Sequence, residues 1–224
     1  MKQALAAMAL AALVGGGASA ATIHGVKVSK DGLSVRIPNG TGRYVAPPRH
    51  DPRLSVVFSN IAVKYPMGLY FCCSGATVAG PDSPLGAPSW PAMQFTPAAD
   101  ATVKEIDVAV QLISGTDLVD IALYDDAGGL PGKLLKKFKA SGFGNIGGCC
   151  GLSAGKTSTG IAVKGGVPYW VAIITDKKGT DAFANWAFNS TDQLDALPSA
   201  VNKGAGWQNN GGAIPAASFA VYGE

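Results

Sequence analysis

A glycine-flanked serine is the first feature of this sequence that could do covalent chemistry. Residues 151–155 read Gly-Leu-Ser-Ala-Gly, a G-x-S-x-G pattern that presents a nucleophilic serine in some hydrolases. That pattern works on a strand–turn–helix, with the histidine later in the chain. Here both histidines, His24 and His50, precede Ser153, and no helical periodicity follows the motif. We expect a chain without catalytic residues, and a secreted, esterase-like serine hydrolase using Ser153 with His24 or His50 is the alternative.

A tryptophan among glycines and amides is the better candidate for binding. Residues 204–212 read Gly-Ala-Gly-Trp-Gln-Asn-Asn-Gly-Gly. A flat indole suits the apolar face of a sugar ring, and neighbouring amides suit its hydroxyls. The predicted ligand-binding residues are Trp207, Gln208, Asn209 and Asn210, with a glycan or another envelope component as the partner. The competing interpretation is that Trp207 packs back onto a sheet edge. Trp170 and Trp186 differ from it, because they lie inside apolar segments and are expected to be core residues.

Two adjacent carboxylates form a weak candidate metal site. Asp125 and Asp126 precede the glycines of residues 128–129. Calcium requires several converging oxygen ligands. Aspartate before glycine is also what a hairpin turn requires, because Asp tolerates turn geometry. Calcium is thus the one cofactor that the sequence leaves open, and no other is expected.

Four cysteines occur as two adjacent pairs, Cys72–Cys73 and Cys149–Cys150. In an exported protein this pattern predicts disulfides, and four cysteines allow three complete connectivities. Vicinal bridges would leave distant segments untied, so we expect cross-links between the pairs, each stabilising by about 2–4 kcal/mol. A zinc site is the rival, but the pairs lack the usual two-residue gap.

The N-terminus has the pattern of a secretory signal peptide. Lys2 precedes an apolar run, and residues 18–20 read Ala-Ser-Ala, the small-residue pattern of a cleavage site. We predict a signal peptide over residues 1–20 and a secreted or periplasmic product. The apolar run is shorter than the about 20 residues of a membrane span, so no transmembrane segment is expected after cleavage.

The composition favours a β-protein. Thirty glycines and fourteen prolines punctuate short apolar segments, and charged residues make up only 15% of the chain. Residues 102–113 alternate after the first pair, and turn residues recur at intervals typical of a sandwich. We predict an all-β, antiparallel sandwich or jelly-roll-like domain over residues 54–224. Residues 21–53 form an N-terminal β-hairpin extension and linker, with a turn at residues 30–32.

The charge balance excludes one class of partner. Lys and Arg number 18 against 15 acidic residues, and no long basic cluster appears, so nucleic acid is not an expected ligand. The lean charge and many small residues also fit a subunit of a surface layer. That third hypothesis leaves the oligomeric state open.

Several motifs together resemble exported bacterial proteins of the choice-of-anchor domain type. They are Ser59–Asn60, Phe71–Gly75, Phe95–Pro97, residues 101–109, residues 121–132, Cys149–Cys150, Tyr169–Val171 and Phe219–Gly223. The resemblance covers about residues 57–224. It implies a β-sandwich on the cell surface or in the extracellular space, with no assigned reaction.

Overall fold

The computed structural model describes residues 22–38, 51–61, 70–140, 143–147, 151–189, 197–212 and 214–224. The predicted signal peptide and most of the predicted linker lie outside these ranges. Within them every regular element is a β-strand, and no helix has the length and apolar character needed to cross a membrane. The strands are β1 (Thr22–Ile23), β2 (Val26–Val28), β3 (Ser34–Arg36), β4 (Ser55–Ser59), β5 (Tyr70–Ala79), β6 (Trp90–Phe95), β7 (Ala101–Val108), β8 (Val110–Ser114), β9 (Val119–Asp126), β10 (Pro131–Ala140), β11 (Ser153–Val163), β12 (Tyr169–Thr175), β13 (Phe183–Asn189), β14 (Ser199–Asn202), β15 (Trp207–Asn209) and β16 (Phe219–Gly223).

The strands form three sheets. Sheet 1 has the order β1-β2-β3-β5-β13-β8, sheet 2 has β10-β9-β12-β6-β14-β15, and sheet 3 has β11-β7-β16-β4. Every pairing between these strands is antiparallel. The predicted class, an all-β antiparallel sandwich, is confirmed.

Sheets 1 and 3 are joined by a bend at Ala109, the single residue between β7 and β8. Its N–H donates to Ser218 O (3.2 Å), and its carbonyl accepts from Ala187 N (2.8 Å). Backbone pairing therefore continues through the bend, and the two sheets form one curved layer. The main core lies between this layer and sheet 2, and its large buried side chains include Met93, Phe95, Ile106, Ile121, Leu123, Val171, Ile173, Trp186 and Phe219.

The alternation of residues 102–113 is confirmed, together with its break. Val103, Ile106 and Val108 are fully buried in the main core. The register of β7 shifts between Val103 and Glu105 against both of its neighbours. Against β16, a β-bulge adds one residue to β7 at this point, so the alternation restarts after Val103.

The N-terminal hairpin is the predicted one, with an additional turn. Strands β2 and β3 pair around residues 29–33, and Gly32 N donates to Ser29 O (2.9 Å). The sequence did not reveal the turn at His24 and Gly25, whose φ angles are 49° and 78°. Positive φ at both positions is the geometry of a two-residue hairpin turn. Strand β3 also pairs with β5, so the hairpin extends sheet 1.

Candidate functional site

Trp207 lies in β15 on the face of sheet 2 that points away from the main core. This aromatic face carries a second buried cluster around Trp170, with Trp90, Tyr124 and Trp207 packed against it. The Trp207 and Tyr124 ring centroids are 5.6 Å apart at an interplanar angle of 76°, an edge-on contact. Trp207 is half-buried. The sequence had placed it in a loop, whereas the structure places it in a short strand paired with β14.

A row of four alanines forms the floor of the aromatic face. Cross-strand register aligns them on neighbouring strands in the order Ala122, Ala172, Ala92, Ala200, and each is fully buried. Strands β9 and β15 are four steps apart in sheet 2, about 19 Å if the sheet were flat. The Trp207–Tyr124 contact therefore requires the sheet to curl toward this face, with both rings reaching over the small side chains.

Hydrogen bonds fix the other two tryptophans of the aromatic face. Trp170 Nε1 donates to Asp126 Oδ1 (2.7 Å), which also accepts from Gln94 Nε2 (3.0 Å), and Trp90 Nε1 donates to Thr175 Oγ1 (3.1 Å). Partial desolvation disfavours the Asp126 carboxylate, but bonds from Gly129 N, Trp170 and Gln94 outweigh it and lower its pKa. Among the described residues, none accepts the indole N–H of Trp207. The indole N–H groups of Trp90 and Trp170 are thus satisfied within the protein, while that of Trp207 has no acceptor among the described residues.

The other predicted ligand-binding residues do not all join Trp207. Alternation along β15 puts Asn209 on the same face as Trp207 and Gln208 on the opposite one. Asn209 is exposed, and its Oδ1 accepts from Gly211 N (2.6 Å). Asn210 Oδ1 accepts from Ser199 Oγ and from Gly212 N, so this side chain serves the turn. The structure therefore brings together Trp207 and Asn209.

The predicted serine relay is not assembled by the described residues. Ser153 begins β11 and pairs with Val108, so it sits in a sheet rather than on a strand-to-helix turn. The conformation of His24 is that of a hairpin turn. No hydrogen bond joins His24 to Ser153 among the contacts of the described chain, and His50 lies outside that part. The hydrolase alternative stays a prediction that these contacts do not support.

The two carboxylates of the calcium hypothesis are engaged in turn contacts. Asp125 Oδ1 accepts a hydrogen bond from Lys133 N, and Asp126 Oδ1 accepts hydrogen bonds from Trp170 and Gln94. Over the described ranges, no group of three or more His, Cys, Asp or Glu side chains is placed to hold a metal ion. Both residues therefore order the β9–β10 turn, and calcium stays an untested prediction.

The structure describes only part of the set of four cysteines. Cys73, in β5, is 6% exposed and is not a free thiol. Cys149, Cys150 and the side chain of Cys72 lie outside the described residues, so the pairing stays a prediction. The segments next to the two cysteine pairs are in contact, since Tyr70 Oη donates a hydrogen bond to Gly151 O (2.9 Å).

A buried carboxyl pair escaped the sequence analysis. Glu105 and Asp107 lie on the outward face of β7, yet each is only 2% exposed. Lys156 Nζ is 3.0 Å from Glu105 Oε1, while Asp107 Oδ1 is buried without a hydrogen-bond partner. Burial, and then the charge and hydrogen bond of Glu105, raise the pKa of Asp107 to about 7. Alternation assigns these residues outward, but it does not reveal that they are buried.

Comparison with known proteins adds no family to this description. No protein-family model matches the chain, and a search of curated proteins finds no significant match. The fold and the site therefore define the class as an antiparallel β-sandwich with an aromatic outer face.

Proposed function

We propose that this protein is an exported, disulfide-stabilised β-sandwich with a non-catalytic binding role toward glycans, or other envelope components, at or outside the cell envelope. Its contact residue is Trp207. The observation that carries the proposal is the state of this indole: half-buried, held edge-on by Tyr124, and with an N–H that no described residue accepts. An aromatic ring fixed before binding loses little conformational entropy when a ligand stacks on it.

The surroundings of Trp207 suit a polyhydroxylated ligand. Asn209 offers an exposed amide on the same face, and its Nδ2 group donates to no described residue. Sugar recognition combines such hydrogen-bonding groups with aromatic stacking. The alanine floor and the hydrogen-bonded Trp90 and Trp170 keep this surface rigid below the indole.

A glycan array of the mature, oxidised protein tests the proposal. Wild type, Trp207→Ala and Gln208→Ala are compared, and the last is the matched control because Gln208 neighbours Trp207 but points to the opposite face. We expect binding to a subset of glycans by wild type and by Gln208→Ala, with at least about a tenfold loss for Trp207→Ala, equivalent to about 1.4 kcal/mol. Equal signals from all three proteins, or no signal from wild type, would refute it.

The export part of the proposal is supported by the sequence, and the disulfide part is supported by the sequence and by one hydrogen bond between the segments that carry the cysteine pairs. The signal-peptide pattern supports export. The Tyr70–Gly151 hydrogen bond places the start of β5 beside the residue that follows Cys150, which supports cross-links between the pairs. Mass spectrometry of the thiol-blocked mature protein is the test: we expect no modified cysteine and peptides linking residues 72–73 to 149–150. Four blocked cysteines would contradict it. The resemblance to choice-of-anchor domain proteins is consistent with this proposal and stays a prediction.

A further inference from the structure

A groove with a cavity volume of about 270 Å³ lies beside the hairpin that carries Trp207. Its lining comes from the turn between β2 and β3, from the proline-rich loop before β6 and from Lys203. Its volume is just below the about 300–1,000 Å³ of sites for drug-sized ligands. A single sugar residue, rather than a longer ligand, fits that size.

The hairpin wall of the groove is held rigid by its own hydrogen bonds. Ser29 Oγ donates to Asp31 Oδ1 (2.6 Å) and accepts from Ser34 N (2.9 Å), and Leu33 N donates to the same Asp31 oxygen (3.0 Å). Lys203 Nζ donates to the backbone oxygen of Asp31 (2.6 Å) and so joins this turn to the β14–β15 hairpin. The groove is therefore preformed, and a ligand need not order it.

The opposite wall is apolar, while the rim is cationic. Leu85, Ala87 and Pro88 line the loop side. The ionisable groups at the rim are Lys30, Lys203 and Asp31. The Ser29 hydrogen bond, more than any other contact, lowers the pKa of Asp31, so this carboxylate is ionised and balances one lysine. Lys30 has no acceptor among the described residues, and the rim keeps one net positive charge.

We infer that this groove binds the carboxylated residue of an acidic glycan, with the sugar ring against Leu85 and Pro88 and the carboxylate between Lys30 and Lys203. The inference rests on the proposed function and names its ligand class. The neighbouring residue Asn202 pairs with Trp207 across the hairpin, which places Lys203 within about 10 Å of Trp207 along the backbone. We therefore assign adjacent residues of one glycan chain to the two places.

Titration calorimetry of the mature, oxidised protein distinguishes recognition of the ligand's negative charge from recognition of its sugar rings. The probes are trigalacturonate and its methyl ester, which keeps the sugar rings and removes the negative charges. The variants are Lys30→Met and Lys203→Met, with Lys178→Met as a control at an exposed lysine outside the groove. Lys30→Met is decisive, because Lys203 also holds the Asp31 backbone and its loss could loosen the turn.

We expect trigalacturonate to bind about fivefold to tenfold more tightly than the ester, with the preference weakening as salt is raised. Lys30→Met and Lys203→Met should each remove most of that preference, and Lys178→Met should retain it. Equal affinity for the two probes, absence of binding to both, or full preference in Lys30→Met would overturn the inference. If the ester binds as well as the acid, and Trp207→Ala abolishes both, the proposed function stands and the inference alone fails.

Discussion

Replacing Asp107 with Asn should remove a loss of stability that wild type undergoes between about pH 4 and pH 7. The Asp107 carboxyl is buried beside Glu105, and its pKa is raised from 3.8 to about 7, mainly by burial. In the unfolded chain the same group ionises near 3.8. Between these values the folded state binds more protons than the unfolded state, so stability falls as pH rises.

The magnitude follows from the difference between the two pKa values. About three pH units at 1.36 kcal/mol each give about 4 kcal/mol, fully present below pH 3.8 and lost by the time the pH exceeds 7. Asn keeps the shape of the side chain and does not titrate. We therefore expect Asp107→Asn to match wild type near pH 4 and to be more stable by up to about 4 kcal/mol near pH 8.

The assay is guanidinium unfolding of the oxidised protein, followed by tryptophan fluorescence at pH 4.5, 6 and 8. The difference between wild type and variant reports on the Asp107–Glu105 pair, because groups away from it, such as the Asp51–Arg53 ion pair, are the same in both proteins. Asp82→Asn, at an exposed carboxylate, is the control and should give a difference that does not change with pH. Parallel stability profiles for wild type and Asp107→Asn would show that the buried-pair argument is wrong.

Three further substitutions test the packing. Gly75→Ala should destabilise by about 2 kcal/mol or more, because the added Cβ would clash with the backbone oxygen of Trp186. Gly144→Ala, with no atom within 4 Å of the added carbon, is the control, and equal unfolding midpoints would contradict the close approach. Asn60→Ala should cost about 2 kcal/mol in chemical denaturation, since its side chain donates to Ala217 O (2.8 Å) and accepts from Phe219 N (2.8 Å). An unchanged unfolding midpoint in Asn60→Ala would refute that role. Trp170→Phe should cost about 3 kcal/mol through a cavity and the lost bond to Asp126, whereas an unchanged melting temperature would mean that the second cluster does not contribute.

Local patterns in the sequence predict much of this fold. The alternation of Val103, Ile106 and Val108 identifies a strand and its core-facing side, because successive side chains point to opposite faces. Trp170 and Trp186, interpreted as core from their apolar surroundings, are both fully buried. The Lys30-Asp31-Gly32 turn follows from the φ preference of glycine. Each of these features depends on residues close together in the chain.

The features that sequence did not predict depend on distant residues. Trp207 meets Tyr124 only because sheet 2 curls and alanines from four strands align below the rings, and no local pattern contains that register. Asp107 has the position of an exposed strand residue in the alternation, but the structure buries it to 2% exposure. The separation of Gln208 from Trp207 follows from a short strand in a segment whose glycines indicate a loop.

The most direct test of the account is the indole N–H resonance of Trp207 during titration with the strongest glycan found on the array. The experiment uses ¹⁵N-labelled, mature, oxidised protein, with the four tryptophan resonances assigned by single Trp→Phe variants. The account predicts a saturable shift of the Trp207 resonance, while Trp186, buried in the main core, keeps its position. Saturable binding that leaves the Trp207 resonance unmoved would contradict the account.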